Sequence, residues 1–342
     1  MKIKFILIML LISCLLFNIT GCQNHQHNQK SNEPKVKQEN SSIITPISNY
    51  NYSQMKKQIN KLENKYDNIQ VSTIGESLAK RNLYLLTLGN GEKGIGVVGG
   101  IHGRERITSL LILKIIEDYA KNLQDNKDIK NYDLNKLLNH VTFYFIPMLN
   151  PDGIEITSNG IKNEIKNKNF YLEANEGSSN FKRWKANGRG VDLNKQFPAN
   201  WKQVESENNP HFKNYKGPKP KSEPESQALA DLTRNKNFKT VVAFHNSGNI
   251  IYWYYNQKGK QYKQDYKLAK KLSKENKYKL ITPEESDTIA AGYKDWFIKE
   301  FNRPGFTIEV GKGKTKQPLP SKYLNKYFTE NRTVLLKLAQ NI

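Results

Sequence analysis

Three apolar runs bring a side chain able to hold a metal to their carboxyl ends, and this placement constrains the fold more than any other feature of the chain. Residues 95–99 lead through Gly100 and Ile101 into His102, residues 240–244 end at His245, and Glu309 lies within residues 306–310. Short apolar runs bounded by turn residues read as buried strands. In open α/β sheets, sites gather at the carboxyl ends of strands. His102-Gly103-Arg104-Glu105 places two ligand types close together, and His245 supplies a distant third. Two His and one Glu leave a fourth zinc position open for water, as a hydrolytic zinc needs. Glu309 is then the candidate base that takes the water's proton. His-x-x-Glu alone is a common chance match, and a His at a strand end is ordinarily a hydrogen-bonded core residue. The combination carries the argument, because the chain has six His. His25 and His27 lie in a polar stretch, His140 precedes a strand, and His211 sits in a polar loop.

The rest of the body alternates in type. Ser53 is placed to cap a helix running to about Lys65, and strands are predicted over 71–74, 83–88 and 95–99. Residues 106–122 carry Leu110, Leu111, Leu113, Ile115, Ile116 and Tyr119 in a helical pattern. Further strands are predicted over 141–148, 240–244 and 306–310, and helices over 261–276, 288–301 and 322–339. Such alternation argues for an α/β sheet covered on both faces. Residues 159–221 are loop-rich, which often means binding loops.

The first 22 residues point to a compartment. Lys2 and Lys4 form a charged start, residues 3–17 are otherwise almost continuously apolar, and Ile19-Thr20-Gly21-Cys22 closes the stretch. This reads as an export signal rather than a folded helix. Its ending resembles a bacterial lipobox, which implies that Cys22 becomes the lipidated first residue of the mature chain; an uncleaved membrane anchor is the alternative. Two or more acyl chains on Cys22 would anchor stably where one would not. Residues 23–48 are polar and read as a flexible tether, leaving 49–342 as the body. The expected location is outside the cytoplasmic membrane of a bacterium, lipid-anchored to it. Cys14 and Cys22 are the two Cys, so no disulfide and no Cys ligand is expected in the body. The net charge of +22 is either a solvated basic surface or an attraction to a polyanion. For an exported chain that polyanion is a cell wall or membrane surface. No aromatic-basic interleaving of the single-strand-binding kind stands out, so no nucleic-acid partner is expected.

The local motifs resemble the zinc carboxypeptidase A family. The matching pieces are Gly-Gly-Ile-His-Gly-Arg-Glu (99–105), Asn-Pro-Asp-Gly (150–153), Arg-Trp-Lys-Ala-Asn (183–187) and Gly-Val-Asp-Leu-Asn (190–194), followed by Ser-Glu-Pro-Glu (222–225), Phe-His-Asn-Ser-Gly (244–248), Asp-Trp (295–296) and Phe-Thr-Ile-Glu (306–309). They occur in family order from about residue 50 onward. The resemblance implies an α/β fold with a mixed, mostly parallel central sheet and helices on both faces. It implies one Zn2+ held by His102, Glu105 and His245, the ligand set known for carboxypeptidase A. It further implies Glu309 as general base, Asp192 as the acid orienting the first His ligand, and Asn194 as a hydrogen-bonding partner of a substrate carboxylate. For Asp192 and Asn194, plain turn roles are the alternative.

Two departures bear on activity. Family exopeptidases have Arg directly after that Asn; Lys195 stands here, giving charge without a planar fork. The cation that stabilises the oxyanion is Lys185 by register on Trp184 and Asn187, with Arg183 the nearby alternative. The family's mobile substrate-binding Tyr has no clear counterpart: Tyr293 fits by type, whereas register on Asp295-Trp296 gives Asp287.

The floor of the side-chain pocket falls on Lys294, whose ammonium would favour a substrate side chain ending in a carboxylate, such as diaminopimelate; a surface helix Lys is the alternative. Residues 291–298 and 303–311, with 183–187, resemble the γ-D-glutamyl-L-diamino-acid endopeptidase branch. The expected function is hydrolysis of peptidoglycan stem peptides at the γ-D-Glu–diaminopimelate bond by a monomeric enzyme. The rivals are a metallocarboxypeptidase trimming polypeptide C-termini and a catalytically inactive wall-binding lipoprotein.

Overall fold

The computed structural model describes residues 42–161, 167–286, 289–313 and 315–342. The export signal, Cys22 and the tether up to residue 41 lie outside the described residues. Eight strands form one sheet in the order β1-β2-β4-β3-β5-β8-β6-β7. They are β1 (Ile69–Glu76), β2 (Asn82–Leu88), β3 (Lys93–Val98), β4 (Val141–Ile146), β5 (Thr240–Asn246), β6 (Ile250–Tyr252), β7 (Lys279–Leu280) and β8 (Gly305–Val310). The central block β4-β3-β5-β8 is parallel, while β2 and β6 run antiparallel against its two edges.

The helices among the described residues are α1 (Tyr52–Lys65), α2 (Ile107–Gln124), α3 (Leu134–His140), α4 (Pro151–Asn159), α5 (Lys168–Ala174), α6 (Pro224–Lys236), α7 (Gly259–Asn276), α8 (Tyr293–Phe301), α9 (Leu324–Asn331) and α10 (Val334–Ala339). Strand side chains alternate between faces, and the central strands are apolar on both. Ile95, Val97, Phe143, Phe145, Val242, Phe244, Phe306 and Ile308 join a core with α1, α2, α3, α7, α9 and α10. The intervening Val98, Ile146, Val241 and Ala243 join another with α6 and α8. Each Val, Ile or Phe among them, fully buried, contributes about 1.5–3 kcal/mol. The α/β sandwich with a mixed, mostly parallel sheet is therefore as the sequence predicted.

Several boundaries differ for identifiable reasons. The cap of α1 is Asn51 rather than Ser53: its side chain accepts from the Gln54 N–H at 3.1 Å, and the Gln54 side chain accepts from the Asn51 N–H at 2.9 Å. The closing helix predicted over 322–339 is divided into α9 and α10. Arg332 at the break is held by both Asp118 carboxylate oxygens of α2, at 2.6 and 2.8 Å, and its carbonyl accepts from the Tyr119 hydroxyl. The predicted tether is also shorter. Glu117 of α2 accepts from Ser42 Oγ (2.6 Å) and from the N–H groups of Ile43 (2.5 Å) and Ile44 (3.0 Å), and Ile44 is fully buried. Residues 42–48 thus belong to the body.

Candidate metal centre

His245 and Glu309 are register partners on the adjacent parallel strands β5 and β8. Both stand at odd positions, on the α6/α8 side, near the carboxyl ends of their strands. His102 arrives from β3 by a tight connection. Gly100 has φ +57°, and a Cβ there would lie 2.7 Å from Ser109 Oγ, so only glycine serves. Gly103 is pressed against α4; a Cβ on it would lie 2.5 Å from the Gly153 carbonyl oxygen. Asn150 fixes the neighbouring loops together. Its Oδ1 caps α4 at the Gly153 N–H (2.8 Å), and its Nδ2 donates to the carbonyls of Ile101 (3.0 Å) and Ala186 (3.1 Å). Asn before a Pro at the first helical position is the sequence signal for this cap.

His102, Glu105 and His245 converge and are buried, with one ligand atom from each within 4.8 Å of the others. His102 Nδ1 lies 2.9 Å from Glu105 Oε1, His245 Nδ1 lies 2.9 Å from Glu105 Oε2, and the two Nδ1 atoms are 3.2 Å apart. His102 Nε2 is 3.1 Å from Asp192 Oδ1. A carboxylate only accepts, so Asp192 calls for a proton on Nε2; with a cation in the space between the three side chains, Nδ1 is then the nitrogen that presents a lone pair to it. Two imidazoles and a carboxylate with a ligand atom each within 4.8 Å of the others form a donor set that a cation can bridge. Zinc–nitrogen bonds of about 2.0–2.1 Å in a tetrahedron separate the ligands by about 3.3 Å. The residues present therefore fit one metal ion.

The electrostatics of the chain's own groups point the same way. Burial by itself would push His102 down, but the carboxylates of Glu105 and Asp192 outweigh it and hold the imidazole above its ordinary value. Burial likewise opposes ionisation of Glu105 and Asp192, yet His102 keeps both well below the carboxylate range, with His245 adding its effect on Glu105 and Lys185 on Asp192. Glu309 behaves oppositely. Burial and the nearby Glu105 push it up to about 7, against the attraction of His245, Lys185 and Arg104.

The other predicted positions divide. Asp192 accepts from the Asn194 N–H (3.1 Å) and the Asn214 N–H (3.2 Å) besides facing His102, so its turn role and its position against the imidazole coexist. The Lys185 charge acts on His102, Asp192 and Glu309 together. Arg183 is engaged elsewhere: its guanidinium pairs with Glu176 at 2.7 Å, bonds Asn175, and lies 4.0 Å over the Phe212 ring. Asn194 Oδ1 accepts from the Tyr293 N–H at 3.3 Å. Lys195 donates to the Glu205 carbonyl at 2.9 Å. Lys294 is buried, with its ammonium donating to the Tyr254 carbonyl at 3.0 Å, paired with Asp295, and 5.7 Å from the Tyr255 ring centre. It is not a surface helix Lys. Tyr293 is a core residue whose hydroxyl meets Thr233 Oγ1 at 2.9 Å, and Asp287 lies outside the described residues. Arg104, within the His-x-x-Glu segment, is a cation near Glu309 that the sequence did not single out.

Comparison with known proteins agrees with this geometry. The zinc carboxypeptidase family model matches residues 55–334. Gamma-D-glutamyl-L-diamino acid endopeptidase 1 of Lysinibacillus sphaericus is 37% identical over 297 residues, covering 86% of this chain and 73% of that protein. The uncharacterized protein YqgT of Bacillus subtilis (strain 168) is 30% identical over 292 residues, covering 84% of this chain and 76% of its own. Among solved structures, thrombin-activatable fibrinolysis inhibitor is similar with a TM-score of 0.69 at 21% identity, over 85% of this chain and 73% of that one, a likeness of fold. The convergent His102, Glu105 and His245 thus stand in a chain that belongs to the zinc carboxypeptidase family of metallopeptidases.

Proposed function

We propose that this chain is an exported zinc peptidase that hydrolyses peptidoglycan stem peptides at the γ-D-Glu–diaminopimelate bond. The observation that carries the reading is its 37% identity to a γ-D-glutamyl-L-diamino acid endopeptidase, together with the buried cation at Lys294. His102, Glu105 and His245 would hold one Zn2+, which when bound would supply Lewis acidity for a carbonyl and for water. Glu309 accepts the proton of the attacking water and passes it to the leaving amine nitrogen as the C–N bond breaks. The Lys185 ammonium meets the charge that develops on the carbonyl oxygen. Asp192 keeps the proton on His102 Nε2 and so keeps Nδ1 free as a donor atom.

Lys294 is balanced by Asp295 in the free chain; a substrate carboxylate would compete for its remaining N–H donors. Asn194 and Lys195 would meet the backbone carboxylate. Without the planar fork of Arg, Lys195 holds it less strictly, which suits a substrate with further residues beyond the cut. The chain acts as a monomer outside the cytoplasmic membrane, held by lipid on Cys22. Mass spectrometry of the products from purified stem peptides tests the reading. A fragment ending in D-Glu supports it. Release only of single C-terminal amino acids from polypeptides would replace it with an ordinary carboxypeptidase.

A further inference from the structure

Outside the residues of the metal centre, α7 and the segment after β6 form an aromatic surface, with Lys270 Nζ 5.6 Å from the Tyr266 ring centre. Tyr262 and Tyr266, one helical turn apart, lie nearly parallel at 13° with ring centres 6.2 Å apart. Each packs on the buried Trp253 at 5.3 Å, and Tyr254 meets Tyr262 edge-on at 6.0 Å. Tyr266 is 39% exposed, among the most exposed large apolar side chains described. Lys258, Lys260, Lys263, Lys267, Lys270 and Lys274 are exposed on or beside the same helix. The two acids of α7 do not offset them. Asp265 is buried and bonded to Gln257, and Glu275 is bonded to Thr333.

We infer that this face binds an anionic polysaccharide. Aromatic faces attract the polarised C–H bonds of sugar rings, and a row of unneutralised ammonium groups attracts a chain of carboxylates or phosphates. The apolar side of α7, Leu268, Ala269 and Leu272, is already in the core. The helix therefore has no free apolar face to sink into a lipid surface. The tyrosines are packed on one another and on Trp253, which leaves no slot for a base between them. A sugar chain needs no slot, since it lies across the surface. The Tyr254 whose ring borders this face also holds Lys294 through its carbonyl at 3.0 Å, so the platform adjoins that residue. The inference goes beyond the hydrolase reading and does not need it.

Hyaluronate oligosaccharides, in which a uronic acid alternates with an N-acetylated sugar, serve as probe for the full chain. Calorimetric titration is expected to give saturable, salt-weakened binding, with none to neutral dextran. Tyr266→Ser and the double variant K267Q/K270Q are each expected to weaken it by about tenfold, at the parent's melting temperature. Unchanged affinity in Tyr266→Ser would overturn the inference, and so would oligodeoxythymidine binding as tightly through the same tyrosine. Binding is read without turnover. A chain that binds the glycan but leaves stem peptides intact sinks the peptidase reading alone; one that cuts peptides and ignores the glycan sinks this inference alone.

Discussion

At the residue scale, the sharpest expectations concern Glu309 and Lys185. Glu309→Gln removes the proton acceptor while preserving volume, and a positioned general base contributes about 10²–10⁴-fold. The variant should keep its zinc, read by elemental analysis, while losing activity by that order; activity equal to the parent's would remove Glu309 from the chemistry. Lys185→Met should lower kcat by about 10²–10³-fold, the effect of deleting one donor to a developing oxyanion, whereas Lys185→Arg should retain most activity. If Arg183→Met is the damaging change instead, the assignment belongs to Arg183. The convergence of His102, Glu105 and His245 is legible in the sequence because His-x-x-Glu is local and His245 closes an apolar run. The choice between Lys185 and Arg183 was not, because two cations separated by one residue differ only in what each one meets. Arg183 meets Glu176, Asn175 and Phe212, and none of these partners can be inferred from spacing. Arg104 went unnoticed for the same reason: nothing local marks a cation as facing a carboxylate two hundred residues away.

At the scale of elements, periodicity found the central strands and α2, because each is apolar over most of its length. It missed α4 and α6. Both start at a Pro, at Pro151 and Pro224, and Pro is favoured in the first helical turn, a signal of position rather than of apolar period. Polarity over residues 23–41 makes the stretch to 48 read as tether, although Ile43, Ile44 and Ile47 interrupt that polarity near its end, and one acid far away in sequence fixes the start of 42–48. Glu117 receives two backbone N–H groups and one hydroxyl. Glu117→Ala would leave the Ile43 and Ile44 N–H groups without that acceptor, at a cost of about 1–3 kcal/mol. The expected outcome is faster hydrogen exchange at those two amides with the rest of α2 unaffected. Protection equal to the parent's would mean that burial of Ile44, not Glu117, secures the segment.

At the scale of the whole molecule, two buried acids outside the metal centre tie stability to pH. Burial pushes Glu225 up to about 8, with Asp152 and Glu223 adding repulsion, and burial pushes Asp265 up to about 6. Glu225 is fully buried and its Oε1 has no hydrogen-bond partner, so its ionised form is poorly accommodated. An acid whose folded value lies above its ordinary one keeps a proton that the unfolded chain has given up. The native state then binds more protons, and stability falls as pH rises. For Glu225 the contribution is complete below its ordinary value of 4.5 and is lost progressively as pH climbs to about 8. Asp265 acts in the same direction over a lower window, up to about 6. Glu225→Gln places a neutral group of the same size in the site and abolishes that titration. With a chelator present throughout, so that metal release adds nothing to the comparison, urea midpoints of parent and variant should diverge as pH rises toward 8, the variant gaining. Parallel midpoints across the whole range would mean that Glu225 finds an unfilled partner, such as an ordered water or a rotated Arg189, and ionises in the folded chain at its ordinary value.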